Sequence, residues 1–235
     1  MRTILAAVMA VTIGVWGAAS QAADNILVFG GNRATGLETV KELVAKKAKV
    51  TVFVRAASDT TALKPLGVKL VTGDVLQPGD VKAAFASAKF TAIVSALGGG
   101  RNEPRPDFDG IKNIVDAAKV AGVKRMVMVT AIGAGDSNVL TPESLKKILQ
   151  PVLIEKGKAE EYLVASGLDY TIIRPGGLKN GPATGKAGLT DDHNKYSDIQ
   201  RADLGILTAD SVWDKKTSRK ILHAIDPTMP SAMAP

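Results

Sequence analysis

The sequence predicts an α/β fold in one domain, a doubly wound sheet of mostly parallel strands, on three observations. A glycine-rich turn separates a short apolar run from a helical pattern near residue 30. Further apolar runs then alternate with helical patterns, as in a series of βαβ units. The 235 residues, 46% of them hydrophobic, suffice for one compact domain with its own core.

The glycine-rich turn joins a predicted strand at 26–29 to a helix that begins near Gly36. Gly30 permits the sharp turn, and Gly36 lets the helix pack closely against the strand. The first-turn amides and the helix dipole then face a pyrophosphate. This Rossmann-like corner predicts a dinucleotide site, and its loop residues are Gly30, Asn32, Arg33, Ala34, Thr35 and Gly36.

The second predicted strand, 50–54, ends at Arg55. NAD-binding proteins place a carboxylate there to accept hydrogen bonds from the ribose 2′-hydroxyl, whereas a guanidinium can bind a 2′-phosphate. Arg55 and Arg33 together predict NADP, with NAD possible. Two features leave the choice between NADP and NAD open. Arg55 is alternatively a solvated strand end with no ligand, and Asp59, just downstream, is a carboxylate that would compete with a 2′-phosphate.

Further strands are predicted at 68–71, 91–95, 125–130 and 170–173, and helices at 80–88, 111–121 and 151–166. Ligands of such sheets bind at the carboxyl ends of the strands. The predicted cofactor contacts at these ends are Asp74, Val75, Ser95, Ala96, Leu97, Gly98, Thr130, Pro175, Gly176 and Gly177. Asp74 is suited to accept from the adenine amino group, or alternatively to cap a turn.

Composition excludes several classes of site. The chain has no cysteine and two histidines, which predicts no metal centre and no thiol nucleophile. The net charge is +7, but only 4% of residues are aromatic, so no stacking platform for nucleic acid is expected. The charge is interpreted as solvated helix faces and a field that attracts an anionic cofactor.

Residues 1–22 are predicted to be a secretory signal peptide, because a short positive start precedes an apolar run and small residues. The expected location is therefore periplasmic or secreted, with no stable membrane association after cleavage; an uncleaved anchor is the alternative. Residues 23–226 form the predicted domain and 227–235 a loose C-terminal tail. The polar segment 179–199 is interpreted as a substrate or lid segment.

Four stretches resemble one family: 107–110, 116–125, 156–178 and 201–204. They are similar to the atypical short-chain dehydrogenase/reductases with an NAD(P)-binding domain, most of all the flavin-reductase-like and biliverdin-reductase-B-like branch. The resemblance covers nearly all of the chain after residue 22. It implies a nicotinamide cofactor and a small-molecule substrate. In the glycine loop the chain departs from this branch, with Arg33 where the branch has its middle glycine. On the spacing of the family's larger branch, Ala34 is instead the middle small residue, and the resemblance then implies that Arg33 lies near the NADP 2′-phosphate.

The superfamily has a Ser-Tyr-Lys triad, which this chain lacks, and the flavin-reductase-like branch that it resembles also lacks the usual tyrosine. If Lys156 is the lysine, then Val152 stands at the tyrosine position and Ala131 at the serine position. Lys156 is the candidate catalytic residue, positioned to hold the nicotinamide ribose, or alternatively an ordinary exposed lysine. Tyr162 is interpreted as a residue that packs or caps, and not as the catalytic tyrosine.

The cofactor corner and the absent triad predict an NADPH-dependent reductase of a planar acceptor such as a flavin or quinone. The resemblance to the flavin-reductase-like branch implies that hydride transfer needs no strong protein acid. The alternative is a non-catalytic NADP-binding sensor or interaction scaffold. A sugar-nucleotide epimerase ranks third, since that chemistry depends on the tyrosine.

Overall fold

The structure, a computed structural model, describes residues 24–99, 105–141 and 143–231. The predicted signal peptide, 1–22, lies outside the described residues. Among the described helices, none is long and apolar enough to cross a membrane.

An eight-stranded sheet forms the centre of the domain, in the strand order β3-β2-β1-β4-β5-β6-β10-β8. Only β8 runs antiparallel to its neighbour. The strands are β1 (Asn25–Phe29), β2 (Lys49–Val54), β3 (Lys69–Thr72), β4 (Ala92–Ser95), β5 (Arg125–Val129), β6 (Asp169–Pro175), β8 (Gly188–Thr190) and β10 (Lys220–Ile225). A separate pair joins β7 (Leu178–Lys179) to β9 (Ile199–Gln200).

Five α-helices cover the two faces of the sheet, which confirms the predicted doubly wound fold. They are α1 (Ala34–Ala45), α2 (Pro78–Ala86), α3 (Asp109–Ala121), α4 (Glu143–Ala165) and α5 (Arg201–Ser211). Apolar residues of α1 and α5 form one core with β1 and β2, including Leu43 and Leu204. Residues of α2, α3 and α4 form the other core. The central strands β1 and β4 are mostly apolar, as expected of strands with both faces buried.

Two predictions of secondary structure need correction. The helix predicted at 151–166 begins at Glu143, so Pro151 lies inside α4 instead of opening it. Proline is common at the first helical position because its missing N–H costs nothing there, and that preference led to the wrong boundary. The strand β10 was not predicted, and the segment 179–199, although mostly irregular, contains β8 and borders β7 and β9.

Part of the predicted tail turns back onto the domain. The carbonyl of Met229 accepts a hydrogen bond from the amide of Asp198 (2.9 Å). Thr228 donates through its amide to the buried carboxylate of Asp226 (2.8 Å). Residues 226–229 therefore support the segment that leads into β9.

Candidate functional site

The site predicted from the sequence lies at the carboxyl ends of the parallel strands. The strand order reverses between β1 and β4, which leaves a crevice there. The glycine loop follows β1, and Ala96 and Leu97 follow β4. The amide of Ala96 donates to the carbonyl of Phe29 (3.0 Å), so the two loops leave the sheet side by side.

Two glycines of the glycine loop stand where a side chain would collide with neighbouring backbone. Gly30 has a φ of +78°, and a Cβ there would lie 2.7 Å from the carbonyl oxygen of Ala96. A Cβ on Gly36 would overlap the carbonyl oxygen of Gly30. This close approach of helix to loop is what a dinucleotide corner requires, so the residues present fit a nicotinamide dinucleotide.

The helix α1 begins with its first turn open to a ligand. Its N-cap, Arg33, has extended backbone and makes no capping hydrogen bond with its side chain. Ala34, which stands where the loop needs a small residue, has a φ of +49°, a conformation that favours glycine. The uncapped amides leave the helix N-terminus available to a phosphate group.

Buried hydroxyl groups without hydrogen-bond partners lie beside the glycine loop. In the described residues, Ser95 Oγ at the end of β4 and Thr35 Oγ1 in the first turn of α1 have no partner. Such groups are costly unless something satisfies them. Their location at the predicted cofactor corner is a second reason to regard it as a ligand site.

The two arginines of the NADP prediction lie on neighbouring loops. Arg33 follows β1 and Arg55 follows β2, its parallel neighbour, and both side chains are exposed. Asn32 ties the loops together by donating through Nδ2 to the carbonyl of Asp59 (3.3 Å). The carboxylate of Asp59 accepts from the amide of Thr61 (2.9 Å), and this hydrogen bond lowers the pKa of Asp59. Asp59 is thus engaged in its own loop.

Asp74 caps a turn, which was the alternative role predicted for it. Its Oδ1 accepts from the amide of Leu76 (2.9 Å), and its own amide donates to Asp80 (2.8 Å). The carbonyl of Val75 accepts from Asn113 Nδ2 (2.9 Å). Both residues lie at the expected edge, and their contact with an adenine stays a prediction.

Lys156 reaches from α4 to the end of β4. Its Nζ lies 3.5 Å from the carbonyl oxygen of Leu97 and 2.9 Å from Oδ1 of Asp107. The other oxygen of Asp107 accepts from Arg105 Nε (2.9 Å), and the carboxylate is fully buried. Asp107 thus holds the lysine at the crevice. Sequence reasoning quoted Asp107 only as part of a family motif and missed this role, because its partner is 49 positions away.

The tyrosine near Lys156 does not replace the missing member of the triad. Tyr162 donates through its hydroxyl to Asp116 (2.6 Å) and packs edge-on against Phe108, with the ring centres 6.1 Å apart. The bond to Asp116 raises the pKa of Tyr162. Its interpretation as a packing residue is confirmed.

The end of β6 completes the edge. The carbonyl of Pro175 accepts from the amide of Ile132 (2.8 Å). A Cβ on Gly176 would overlap the carbonyl of Ser197, and one on Gly177 would overlap the Asp198 carboxylate. The segment before β9 therefore packs directly against these two predicted cofactor residues.

Comparison with known proteins decides the family. The model of the family described as NAD(P)H-binding matches residues 30–215. The chain belongs to this family. That membership supports binding of a nicotinamide cofactor. Among the described residues, no cluster of histidine and carboxylate side chains could hold a metal ion.

Three similar proteins carry different functional names. The structure of ChuY, an anaerobilin reductase from Escherichia coli O157:H7, has a TM-score of 0.79 and 32% identity, covering 88% of this chain and 100% of that one. An uncharacterized sugar epimerase, YhfK from Bacillus subtilis, is 30% identical over 79% of this chain and 86% of its own. An NAD(P)H azoreductase from Xenophilus azovorans is 31% identical over 64% of this chain and 47% of its own.

A buried polar network beneath the site was missed by the sequence analysis. Arg174 (1% exposed) donates to both carboxylate oxygens of Glu160 (2% exposed), at 3.1 and 2.5 Å. Glu160 also accepts from Thr130 Oγ1 (2.6 Å), at the end of β5. The network thus ties one predicted cofactor residue to α4 and β6. Nothing in the sequence distinguishes these buried charges from the exposed ones around them.

The network continues to the segment before β9. Arg174 also pairs with Asp136, whose second oxygen lies 3.0 Å from Nδ1 of His193. Burial alone would raise the pKa of Asp136, but the hydrogen bonds from Arg174 and His193 outweigh it and lower the pKa to about 2. The ring of His193 stacks on that of the buried His223, with centres 4.7 Å apart. These contacts hold residues 191–195 against β10.

Proposed function

We propose that this protein is an NADPH-dependent reductase of a planar small-molecule acceptor, similar to a flavin or quinone. The observation that carries the proposal is Lys156, which Asp107 holds at the crevice while Val152 and Ala131 stand at the positions of the triad tyrosine and serine. Reduction of a conjugated acceptor needs a positioned cofactor more than a protein acid. A site that keeps the lysine and lacks the tyrosine suits that chemistry.

The names of the relatives support the same class of reaction. Two of the three relatives are named as reductases, of an anaerobilin and of azo compounds. The third is named as a sugar epimerase. Epimerase chemistry depends on the tyrosine position, where this chain has Val152. A reductase is therefore favoured over an epimerase.

Each group of the site has a role in this proposal. When bound, the nicotinamide supplies the hydride. The open first turn of α1 binds the pyrophosphate, and Lys156 holds the nicotinamide ribose. Beside Gly98, which follows β4, nothing lies within 4 Å of where a Cβ would stand, and this leaves room for the cofactor and a flat acceptor beside it.

The experiment that tests the function combines cofactor titration with an acceptor screen. Purified protein is titrated with NADPH, and NADPH oxidation is then followed with flavin, quinone and azo-dye acceptors. Turnover that falls at least about 10-fold in Lys156→Met, with the fold intact by circular dichroism, supports the proposal. Tight NADPH binding without turnover of any acceptor favours the sensor or scaffold, and absence of NADPH binding rejects both.

We infer that NADP is preferred over NAD, and Arg55→Glu tests this. The variant removes a phosphate partner and adds a repelling charge beside Arg33, so NADPH affinity is expected to fall roughly 100-fold. NADH, which lacks the 2′-phosphate, is expected to change by less than about threefold. Nicotinamide fluorescence titration measures both. Lys82→Glu, on the exposed face of α2, is the matched control. Equal losses for the two cofactors would remove Arg55 from the 2′-phosphate site.

We also propose that residues 1–22 direct export and that the domain works in the periplasm or outside the cell. The apolar run that follows a positive start carries this proposal. Cell fractionation with N-terminal sequencing of the isolated protein is expected to find the domain outside the cytoplasm. A cytoplasmic protein that retains Met1 would contradict it.

A further inference from the structure

The excess positive charge of this protein lies at the edge of the sheet opposite the cofactor site. All strands of the large sheet except β8 are parallel, so the connections that lead into them meet at one edge. Ten exposed cationic side chains stand in these connections or begin the strands. They are Lys46, Lys47, Lys49, Lys69, Lys89, Lys124, Lys215, Lys216, Arg219 and Lys220, called here the basic edge.

Few carboxylates balance this charge. The same connections and strand starts hold three, of which Asp169 pairs with the buried Arg125 and Asp24 accepts from the indole of Trp213 (2.7 Å). From outside them, Asp210 pairs with Lys46 (2.6 Å) and Asp191 lies 4.0 Å from Lys220. The basic edge therefore keeps a large net positive charge.

The opposite edge shows that the cofactor does not account for this charge. In the described connections at that edge, six cationic side chains face six carboxylates. They are Arg33, Arg55, Lys64, Arg105, Lys179 and Lys186, against Asp59, Asp74, Asp107, Asp136, Asp198 and Asp226. The sequence analysis attributed part of the net charge to attraction of an anionic cofactor. The structure instead concentrates it where no cofactor binds.

We propose that the basic edge docks reversibly on an anionic membrane surface. Nine of its ten cations are lysines, compact point charges that suit diffuse attraction to phosphate groups more than the forked recognition of one carboxylate. The partly exposed Trp213 lies in the same set of connections, and tryptophan favours the membrane–water interface. A hollow of about 370 Å³ between Lys49 and Lys69 has apolar walls that include Val44 and Leu66.

The course of the chain gives an independent argument for a membrane as the partner. Asp24 precedes β1, so the preceding residues join the domain at the basic edge. Only five residues, 19–23, separate Asp24 from the end of the apolar run at 4–18. Five residues span at most about 18 Å. While that run is in a membrane, the basic edge is the part of the domain nearest the lipid headgroups.

Vesicle binding at two lipid compositions tests the proposal. The full chain is mixed with vesicles of phosphatidylcholine alone or with 30% phosphatidylglycerol, and bound protein is sedimented. Binding to neutral vesicles measures any contribution of the N-terminal apolar run. The additional binding to anionic vesicles measures the contribution of the basic edge. We expect at least about 10-fold tighter binding to the anionic vesicles at low salt, and loss of the excess in 0.5 M NaCl, where the Debye length is only about 4 Å.

A pair of triple variants locates the binding surface. Lys124→Glu/Lys215→Glu/Lys216→Glu is expected to remove the anionic excess. Lys82→Glu/Lys147→Glu/Lys186→Glu makes the same change of net charge on exposed lysines elsewhere and is expected to keep it. NADPH binding by both variants shows that they are folded. Three outcomes would overturn the proposal. The two triple variants could lower binding to anionic vesicles equally, or the wild type could bind anionic and neutral vesicles alike. The wild type could also be retained by an immobilised acidic polypeptide while binding anionic vesicles no better than neutral ones.

Discussion

Arg174→Leu is expected to destabilise the protein by about 3–5 kcal/mol, the cost of leaving a buried charge without its partner. Glu160 is 2% exposed, and Arg174 donates to both of its oxygens. Without the guanidinium, the carboxylate keeps the hydroxyl of Thr130 as its one hydrogen-bond donor in the part of the chain that the structure describes. The measurement is urea denaturation followed by circular dichroism, with the free energy of unfolding extrapolated to water.

The double variant Arg174→Leu/Glu160→Leu separates the lost partner from the lost packing. Two apolar side chains leave no buried charge, so the double variant is expected to be more stable than Arg174→Leu alone. A double variant as unstable as the sum of the single variants would show that the two charges are not coupled. Lys158→Leu, an exposed residue of the same helix, is the surface control and is expected to change stability by less than about 1 kcal/mol.

Gly36→Ala is expected to cost about 2–3 kcal/mol and to weaken NADPH binding at least about 10-fold. The added methyl group would overlap the carbonyl oxygen of Gly30, a backbone atom that cannot move aside as a side chain can. The helix α1 must therefore shift away from the loop and carry its first-turn amides with it. Thermal unfolding and fluorescence titration measure the two effects.

Gly79→Ala is the matched control for that substitution. Gly79 also lies in the first turn of a helix, α2, but a Cβ there meets nothing within 4 Å. Alanine is the better helix former, so this variant is expected to be stabilised by up to about 1 kcal/mol. If Gly36→Ala melts and binds NADPH like the wild type, the close approach of helix to loop is not required for the site.

The fold was largely predictable because its signals are local. A short apolar run, a glycine turn and a helical pattern repeat along the chain, and each unit dictates its own strand and helix. The start of helix α4 was predicted wrongly because a local signal, a proline, was misleading. Pro151 resembles the start of a helix, yet Leu145, Ile148 and Leu149 before it are good helix residues, and α4 starts at Glu143.

The strand β10 shows a second limit of local reasoning. Its sequence, Lys220–Ile225, places His223 in the middle of an apolar run. A histidine is an unusual residue for a buried strand. It is accommodated because its Nδ1 donates to the carbonyl of Lys195 (2.9 Å) and the ring of His193 stacks on it. Burial also lowers the pKa of His223, which favours the neutral ring.

The site was predictable to the extent that topology places it. Gly30, Arg55, Ser95 and Thr130 end parallel strands and therefore meet at one edge. The residues that hold the site in shape were not predictable. Asp107 acts on Lys156 across long stretches of chain, as Arg174 does on Asp136, and neither spacing carries a periodic signal.

The bond between Asp198 and Met229 has a practical consequence for how the protein is produced. Residues near the C-terminus support the strip of backbone on which Gly176 and Gly177 rest. A fusion partner joined close to Met229 is expected to disturb that support, and measured cofactor affinities would then report the fusion as well as the site. Truncation to residue 226 would remove the hydrogen bond from Asp198 to Met229 and leave only that of the Asp226 amide to Ser197 (2.7 Å). Reporter fusions intended to leave the cofactor edge undisturbed therefore require a long flexible spacer at this end.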